Sequence, residues 1–435
     1  MNGDIQTPDR HFTLKGWHIA LTTLIMLVGL ISLYLVVRKN KVEGRVQALR
    51  AAGYPTSFAE LAEYTKLPEG VENAAEVYTR AFAAFVPPVE EANVPLLGKA
   101  KLPDRGTPLS EPMAKAISTC LASNQQCLAL LHEAAGIEHG RYDWDYRQVM
   151  PHTQEMRRCA QLLRLGVAFH THEGDSDAAI VCIRDGLRLS DSLRREPMSI
   201  SHLVRMAFIG VALGGLERSL DLTTFTDQQL TALGDALSRT GGSLDFTQAL
   251  VTERCRMIEA CRDPSLLADS SVPVRLFPGM RGMWLADTLD VMEDRIEASR
   301  QPPAERLRRF RKADDEIRQL SFLHVMIKNV TPAMTRVAEL DLRLRAHLDL
   351  AKAALAVERY RLATGKVPGQ LEELVPQYLE RVPVDPFDNQ PIRYRRTQPG
   401  YVLYSVDTDG HDDGGRERSE KDRTAPYDLC FIVTR

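Results

Sequence analysis

The sequence predicts a mainly α-helical membrane protein: an N-terminal transmembrane helix, a body of irregular helical hairpins, and a small C-terminal α+β module with an antiparallel sheet. Three observations predict it. An uncharged apolar run long enough to cross a bilayer stands near the start. Ala, Leu, Arg and Glu then recur in long stretches, punctuated by Pro, Gly and Asp. The final stretch carries closely spaced aromatic and β-branched runs.

The apolar run is Trp17–Val37, WHIALTTLIMLVGLISLYLVV. It holds no Asp, Glu, Lys or Arg over the length that a hydrocarbon core of about 30 Å requires. Trp17 and Tyr34 sit near its ends, where aromatic rings meet the headgroups. A cleaved signal peptide would be shorter and leave through small residues, whereas this run leaves through Val36-Val37-Arg38-Lys39. The segment therefore reads as a single-pass anchor. It divides the chain into a tail (1–16), the span (17–37), membrane-proximal helices (38–86), a proline-rich connector (87–111), a helical domain (112–335) and the C-terminal module (336–435).

Composition bounds the function classes. Apolar residues make up 44% of the 435 and charged residues 26%, enough to build a substantial core. The net charge of −3 supplies no basic field, so nucleic acid is not expected as a partner. Seven cysteines form no C-x-x-C pair and read as small buried apolar residues. Cys120/Cys127 and Cys255/Cys261 would lie about 9–10 Å apart along a straight helix, beyond disulfide reach.

The elements follow in order. Ser57 with Glu60 predicts a capping box opening a helix over Phe58–Tyr64, and another helix follows near 74–85. Six prolines between Pro87 and Pro112 exclude a regular element there. Helices are then expected over roughly 112–135, 152–173, 176–195, 198–221, 227–239, 244–262, 283–299, 303–329 and 333–364, with a Pro/Gly-punctuated loop from Asp263 to Gly282. His172-Glu-Gly174-Asp-Ser-Asp177 predicts a hairpin turn. Leu340, Leu344, Leu348, Ala351 and Leu355 predict an apolar stripe on the last helix.

Several clusters suggest chemistry and are weighed against simpler readings. His170-Thr-His172-Glu173 with Asp175 resembles a metal cluster, but helical residues two apart point to opposite sides. A polar helix end explains them. The run Arg306, Arg308, Arg309, Arg311 and Lys312, followed by Asp314, Asp315 and Glu316, reads as a solvated face of alternating charge. Tyr142-Asp-Trp144-Asp-Tyr146 reads as a loop capping a core, or as a partner-binding patch. No H-E-x-x-H, G-x-S-x-G or phosphate-binding G-x-x-x-x-G-K-[ST] occurs, and no enzyme is expected.

The C-terminal stretch is the most specific. Gly365 and Pro368 end the striped helix, and a short helix is expected near Gln370–Val375. Strands are expected over 391–396, 401–406 and 427–433. The motifs, in order, are Gly365/Pro368, Leu371/Leu374, Tyr378-Leu379, Pro383-Val-Asp385-Pro-Phe387-Asp-Asn389-Gln-Pro391, Tyr401-Val-Leu-Tyr404-Ser-Val, Asp407-Thr-Asp409-Gly410-His-Asp-Asp-Gly414-Gly415 and Asp428-Leu429. From near Leu348 to the end, this pattern resembles the major pseudopilin of type II secretion systems. The resemblance implies a calcium site in the loop after the hairpin. Asp409 matches the aspartate of that family's Asp-Gly pair, and Asp428 that of its terminal Asp-Ile. Asp407, Asp412 and Asp413 add hard oxygens of the kind Ca²⁺ prefers, and the glycines permit a tight wrap. The spacing is not that of an EF-hand, whose twelfth position would be Arg416. A solvated acidic turn without metal is the alternative.

The resemblance stops short of the N-terminus. Residues 38–335 separate span and module, no glycine precedes Phe12, and Gly16 stands where that family has its assembly glutamate. It therefore implies the folded module rather than filament assembly, and places the bulk of the chain outside the cytoplasm. The positive-inside count alone points the other way, because Arg38, Lys39, Lys41 and Arg45 outnumber Arg10 and Lys15. The expected role is a non-enzymatic inner-membrane scaffold of the cell envelope, linked to secretion and to protein partners there. The alternative is a receptor using the helical array as a groove.

Overall fold

A computed structural model describes residues 12–148, 150–196, 198–263, 266, 281–320, 324–419, 422 and 424–435. For 12–16, 19–20, 31–39, 325–326 and 329–332 only the backbone is described. The tail before Phe12, most of the expected 263–282 loop, and the side chains of Lys15, Gly16, Tyr34, Arg38 and Lys39 lie outside that description.

The protein is mostly helical with one small antiparallel sheet at its C-terminal end. Helix α1, Phe12–Ala51, carries the expected span and continues as one rod to the body. Its described side chains from Leu21 to Leu30 are exposed, with Ile25 at 60% and Leu30 at 62%. Two turns before its end the pattern inverts. Val42 and Val46 are buried against Ile258, Trp284 and Leu289, and Arg45 pairs with Asp290 at 2.6 Å. The rod thus leaves an apolar stretch bare and docks its far end onto the body.

Helix α2 (Phe58–Tyr64) forms as expected, but not through a reciprocal capping box. Ser57 Oγ accepts the Glu60 N–H at 3.3 Å, whereas the Glu60 carboxylate accepts the Thr56 N–H at 2.8 Å and the Arg50 guanidinium at 2.6 Å. The box is displaced by one residue because Arg50 draws the carboxylate toward α1. Helix α3 is Ala74–Ala83. The proline-rich connector has no regular element, yet it is folded onto the body with Val94 and Leu109 buried. The helix expected over 112–135 is two, α4 (Glu111–Ser123) and α5 (Gln125–Ala135). Asn124 separates them. Its amide donates to the Val86 carbonyl and accepts the Val86 N–H, both at 2.9 Å, so its side chain serves as a backbone partner for the connector.

Helices α6 (Thr153–Glu173) and α7 (Ser176–Asp191) form the expected hairpin, with Gly174 left-handed at φ 76°. Helices α8 (Ser199–Leu222), α9 (Asp227–Gly242) and α10 (Phe246–Arg262) complete the central layer. Among the described residues, α8 is the one helix whose length and apolarity would let it cross a bilayer, but it packs as a core helix against α6, α7 and α13. Helices α11 (Arg281–Ser299) and α12 (Pro303–Gln319) follow. The helix expected to reach 329 stops at Gln319, where Leu320 turns extended. Helix α13 starts early, at Val325, runs through Pro332 and ends at Thr364, capped by left-handed Gly365. The expected boundary at 335/336 therefore falls inside one helix.

The alternating-charge reading of α12 holds for Arg308 and Lys312 but fails for two residues. Arg306 turns inward to Asp341 at 3.1 Å, and Asp314 is buried against Arg295, itself fully buried over the Phe310 ring. Opposite charges taken from water together keep their partners close.

After α13, a 3₁₀ turn at Leu371–Leu374 replaces the expected short helix. Strands β1 (Arg393–Arg396), β2 (Tyr401–Ser405) and β3 (Leu429–Val433) pair in the order β1-β2-β3, all antiparallel. Tyr401 faces Val433 and Tyr404 faces both Arg393 and Cys430. Gly400 sits at φ 86°, with no room for a Cβ, which would meet the Val433 carbonyl oxygen at 1.8 Å. The sheet lies on α13, where the buried Tyr401 hydroxyl donates to Glu358 at 2.9 Å. One continuous apolar core joins Ile209 and Leu213 of α8 to Leu348 and Leu355 of α13 and to Leu403 and Phe431 of the sheet.

Candidate functional site

Three regions bear on function: the bare apolar stretch of α1, the acidic loop of the C-terminal module, and a polar cavity in the helical body. The organising residue of the module is Asp385, in the Pro-x-Asp-Pro stretch. It is fully buried. One carboxylate oxygen accepts the Ser405 hydroxyl at 2.9 Å and the Phe387 N–H at 3.1 Å. The other accepts the Val406 N–H at 2.9 Å and the Arg393 guanidinium at 2.8 Å. Burial raises its carboxyl from the ordinary range against the pull of these donors. This single side chain holds the Pro-Phe turn, the end of β2 and the start of β1 together.

The five aspartates named as calcium ligands do not share one centre. Asp407 sits at φ 59°, buried, and pairs with Arg343 of α13 at 2.9 Å while accepting the Thr408 N–H at 2.7 Å. Asp409 is exposed and accepts the His411 N–H at 3.0 Å. The remaining three lie near one another. Asp428, 2% exposed, accepts the N–H groups of Asp413 at 3.1 Å and Gly415 at 2.7 Å through one oxygen. Strand β3 starts at Leu429, opposite Ser405 at the end of β2, and the Asp428 N–H donates instead to the Arg416 carbonyl at 2.8 Å. The other Asp428 oxygen and Asp413 Oδ2 are buried without a partner. Burial and the adjacent Asp412 and Asp413 charges push the Asp428 carboxyl up. Gly415, at φ 74°, lies where a Cβ would meet the Tyr404 ring at 2.9 Å, which keeps the loop pressed to the sheet. Two orphaned, buried carboxylate oxygens in a glycine-rich loop suit a hard cation. Among the described residues, no group of three or more His, Cys, Asp or Glu side chains is arranged as a complete metal site.

His170 Nδ1 lies 3.9 Å from Asp175, and Asp175 instead caps α7 by accepting the Ala178 N–H. The aromatic loop caps the core as expected: Tyr142 bonds Ser192 at 3.0 Å, and Trp144 donates to Glu196 at 2.7 Å.

A cavity of about 520 Å³ opens where α2, the α5–α6 loop, the α7–α8 turn and the start of α10 meet. Arg205 forms its floor, held by Asp191 at 2.7 Å and the Ser243 carbonyl at 2.9 Å, with its Nε buried and unpartnered. Arg194, Arg195 and His139 line the rim. Glu196 lies in the wall, its carboxyl pushed up to about 7 by burial in spite of the Trp144 and Tyr142 donors. His202 reaches from the cavity to Asp341 at 3.3 Å, and Asp341 also accepts from Arg345 at 2.8 Å. Burial would raise Asp341, but His202 and Arg345 outweigh it and hold the carboxyl at about 2. Sequence reasoning missed this cavity because its residues come from segments with no local motif.

No family model, no curated protein and no solved structure matches this chain.

Proposed function

We propose that this is a non-enzymatic, single-pass inner-membrane protein of the cell envelope. Its helical body and C-terminal module stand outside the cytoplasm as a scaffold for envelope protein partners. The carrying observation is the exposed apolar face of α1 from Leu21 to Leu30, on a rod whose far end is docked by Val42 and Val46. A soluble protein leaves no such run in water, whereas a bilayer would cover it. The pseudopilin resemblance of the module supports the extracytoplasmic side and a link to secretion. A calcium ion held by Asp413 and Asp428, with Asp412 beside them, would neutralise oxygens that otherwise lie buried and unpartnered. Asp409 would need to swing from His411 to join them, and Asp407 is committed to Arg343.

The test is fractionation with a topology reporter fused after Arg435. Retention in membranes after alkaline carbonate washing, with the reporter active only outside the cytoplasm, is expected. Release into the aqueous fraction without detergent ends the reading.

The cavity floored by Arg205 favours a second reading, a receptor for a small charged molecule; about 520 Å³ falls in the range of ligand sites. A thermal-shift screen of charged metabolites should then yield a ligand whose effect Arg195→Ala removes. A screen without such a ligand discards it.

A further inference from the structure

Two cysteines far apart in sequence meet inside the body. Cys127 on α5 and Cys159 on α6 bring their sulfurs to 4.0 Å, and both are completely buried. The chain between them holds the loop of Tyr142 and Trp144, which covers the core beside the cavity. The other five cysteines lie elsewhere: Cys120 beside the Asn124 amide, Cys261 beside Thr288, Cys430 beside the Asp428 carbonyl, with Cys182 and Cys255 on separate helices. A disulfide would bring these sulfurs from contact distance to about 2.05 Å.

We propose that Cys127 and Cys159 are a disulfide site, closed while the chain folds under oxidising conditions, that staples α5 to α6 at the base of this loop. That it is used in the cell rests on the extracytoplasmic reading above, since disulfides persist in oxidising compartments. Either cysteine can act first, and the exchange balances in the same way with Cys127 leading. Its thiolate attacks the disulfide of an exchange partner, either an oxidised dithiol oxidoreductase or glutathione disulfide. A mixed disulfide forms and one partner thiolate leaves. The Cys159 thiolate then attacks Cys127 Sγ in that mixed disulfide, the internal S–S bond forms, and the second partner thiolate leaves. The two cysteines lose two electrons and two protons, and the partner's disulfide is reduced to two thiols. Because both sulfurs are inaccessible once folded, closure precedes their enclosure in the core and the finished bond resists reductant.

The experiment has two arms on the full-length protein. In the first, the protein is taken from membranes with free thiols trapped at harvest, and its peptides are mapped by mass. A peptide pair joining Cys127 to Cys159, lost on prior reduction, is expected. In the second, detergent-solubilised, reduced protein is refolded in a glutathione redox buffer. The same pair is expected, and denaturant should show the bond favouring the folded state on the order of a few hundred-fold by loop entropy. Absence of the pair in the refolding arm overturns the proposal, as does absence in the cell arm when the reporter is extracytoplasmic. A cross-link found on refolding, with a cytoplasmic reporter, supports the thiol geometry and overturns only the reading of location. Peptide mapping needs no variant, and Cys127→Ser should leave Cys159 alkylatable under denaturing conditions.

Discussion

Glu217 on α8 accepts the backbone N–H of Ile432 on β3 at 2.8 Å, across 215 residues of sequence. One turn later Asp221 accepts the N–H and hydroxyl of Thr434, at 2.6 and 3.1 Å. Strand β3 is the sheet edge, and residues two apart on an edge present their N–H groups to the same side. Two carboxylates four apart on a helix lie on one face and occupy those donors. The body thus finishes the sheet, and Arg105, 3.2 Å from Glu217, compensates the buried charge. The module is built into the body rather than tethered to it.

Removing Glu217 should therefore loosen the module. Glu217→Ala leaves the buried Ile432 N–H without its acceptor and Arg105 with Glu417 as its remaining hydrogen-bonded carboxylate, and should cost about 1–3 kcal/mol. Glu217→Gln retains an acceptor and should cost about half as much. Urea unfolding of the detergent-solubilised protein measures both. Equal losses would show that the hydrogen bond to β3 is not the relevant contact.

Acidity should tune the same contacts. Burial lifts the carboxyls of Glu196 and Glu217 to about 7, above their ordinary value of 4.5. Between those values the folded chain binds more protons than the unfolded one, so this part of the stability is present at low pH and declines as pH rises toward 7. Burial of His152, whose pKa falls to about 4, works in the opposite direction over the same range. The carboxyl effect is isolated by difference. The stability of the wild type relative to Glu196→Gln should fall between pH 4.5 and 7, and a flat difference would refute the shift.

Asp385→Ala should be among the most damaging changes in the module. It strips acceptors from Ser405, Phe387, Val406 and Arg393 at once, leaving Asp388 as the hydrogen-bonded partner of the Arg393 guanidinium. A loss of about 3–5 kcal/mol is expected. Limited proteolysis should then cut first near residues 380–392. Stability unchanged within about 1 kcal/mol would show that the turn is held by other contacts.

Calcium should raise the melting temperature of the whole protein, since the module shares its core with the body. Asp413→Asn should abolish the rise while leaving metal-free stability nearly unchanged, because Asp413 Oδ2 has no partner to lose. Asp407→Asn should keep the rise, as its carboxylate already serves Arg343. If chelator and excess calcium give the same melting curve, the acidic loop is a solvated turn.

Deleting residues 1–39 should yield a protein that needs no detergent. Val42 and Val46 remain to close the pocket against Trp284, so the body should melt at its usual temperature. Starting instead at residue 48 exposes that pocket and should cost about 2–4 kcal/mol.

Much of the architecture was legible because local physics writes it into neighbouring residues. An uncharged run of bilayer length, the glycine stop at Gly365, the hairpin turn at Gly174 and the aromatic and β-branched runs each depend on residues within a few positions. The same locality explains the errors. Asn124 breaks a helix to serve Val86, and Arg306 leaves the surface for Asp341; neither partner is near in sequence. By itself the sequence determined the helical class, the apolar rod and the order of elements in the C-terminal module. Only the tertiary structure decided that Asp385 is the module's hub, that Glu217 and Asp221 complete its sheet, and that Cys127 meets Cys159. Long-range pairing depends on which faces the packed core turns toward each other, and no local pattern encodes that choice.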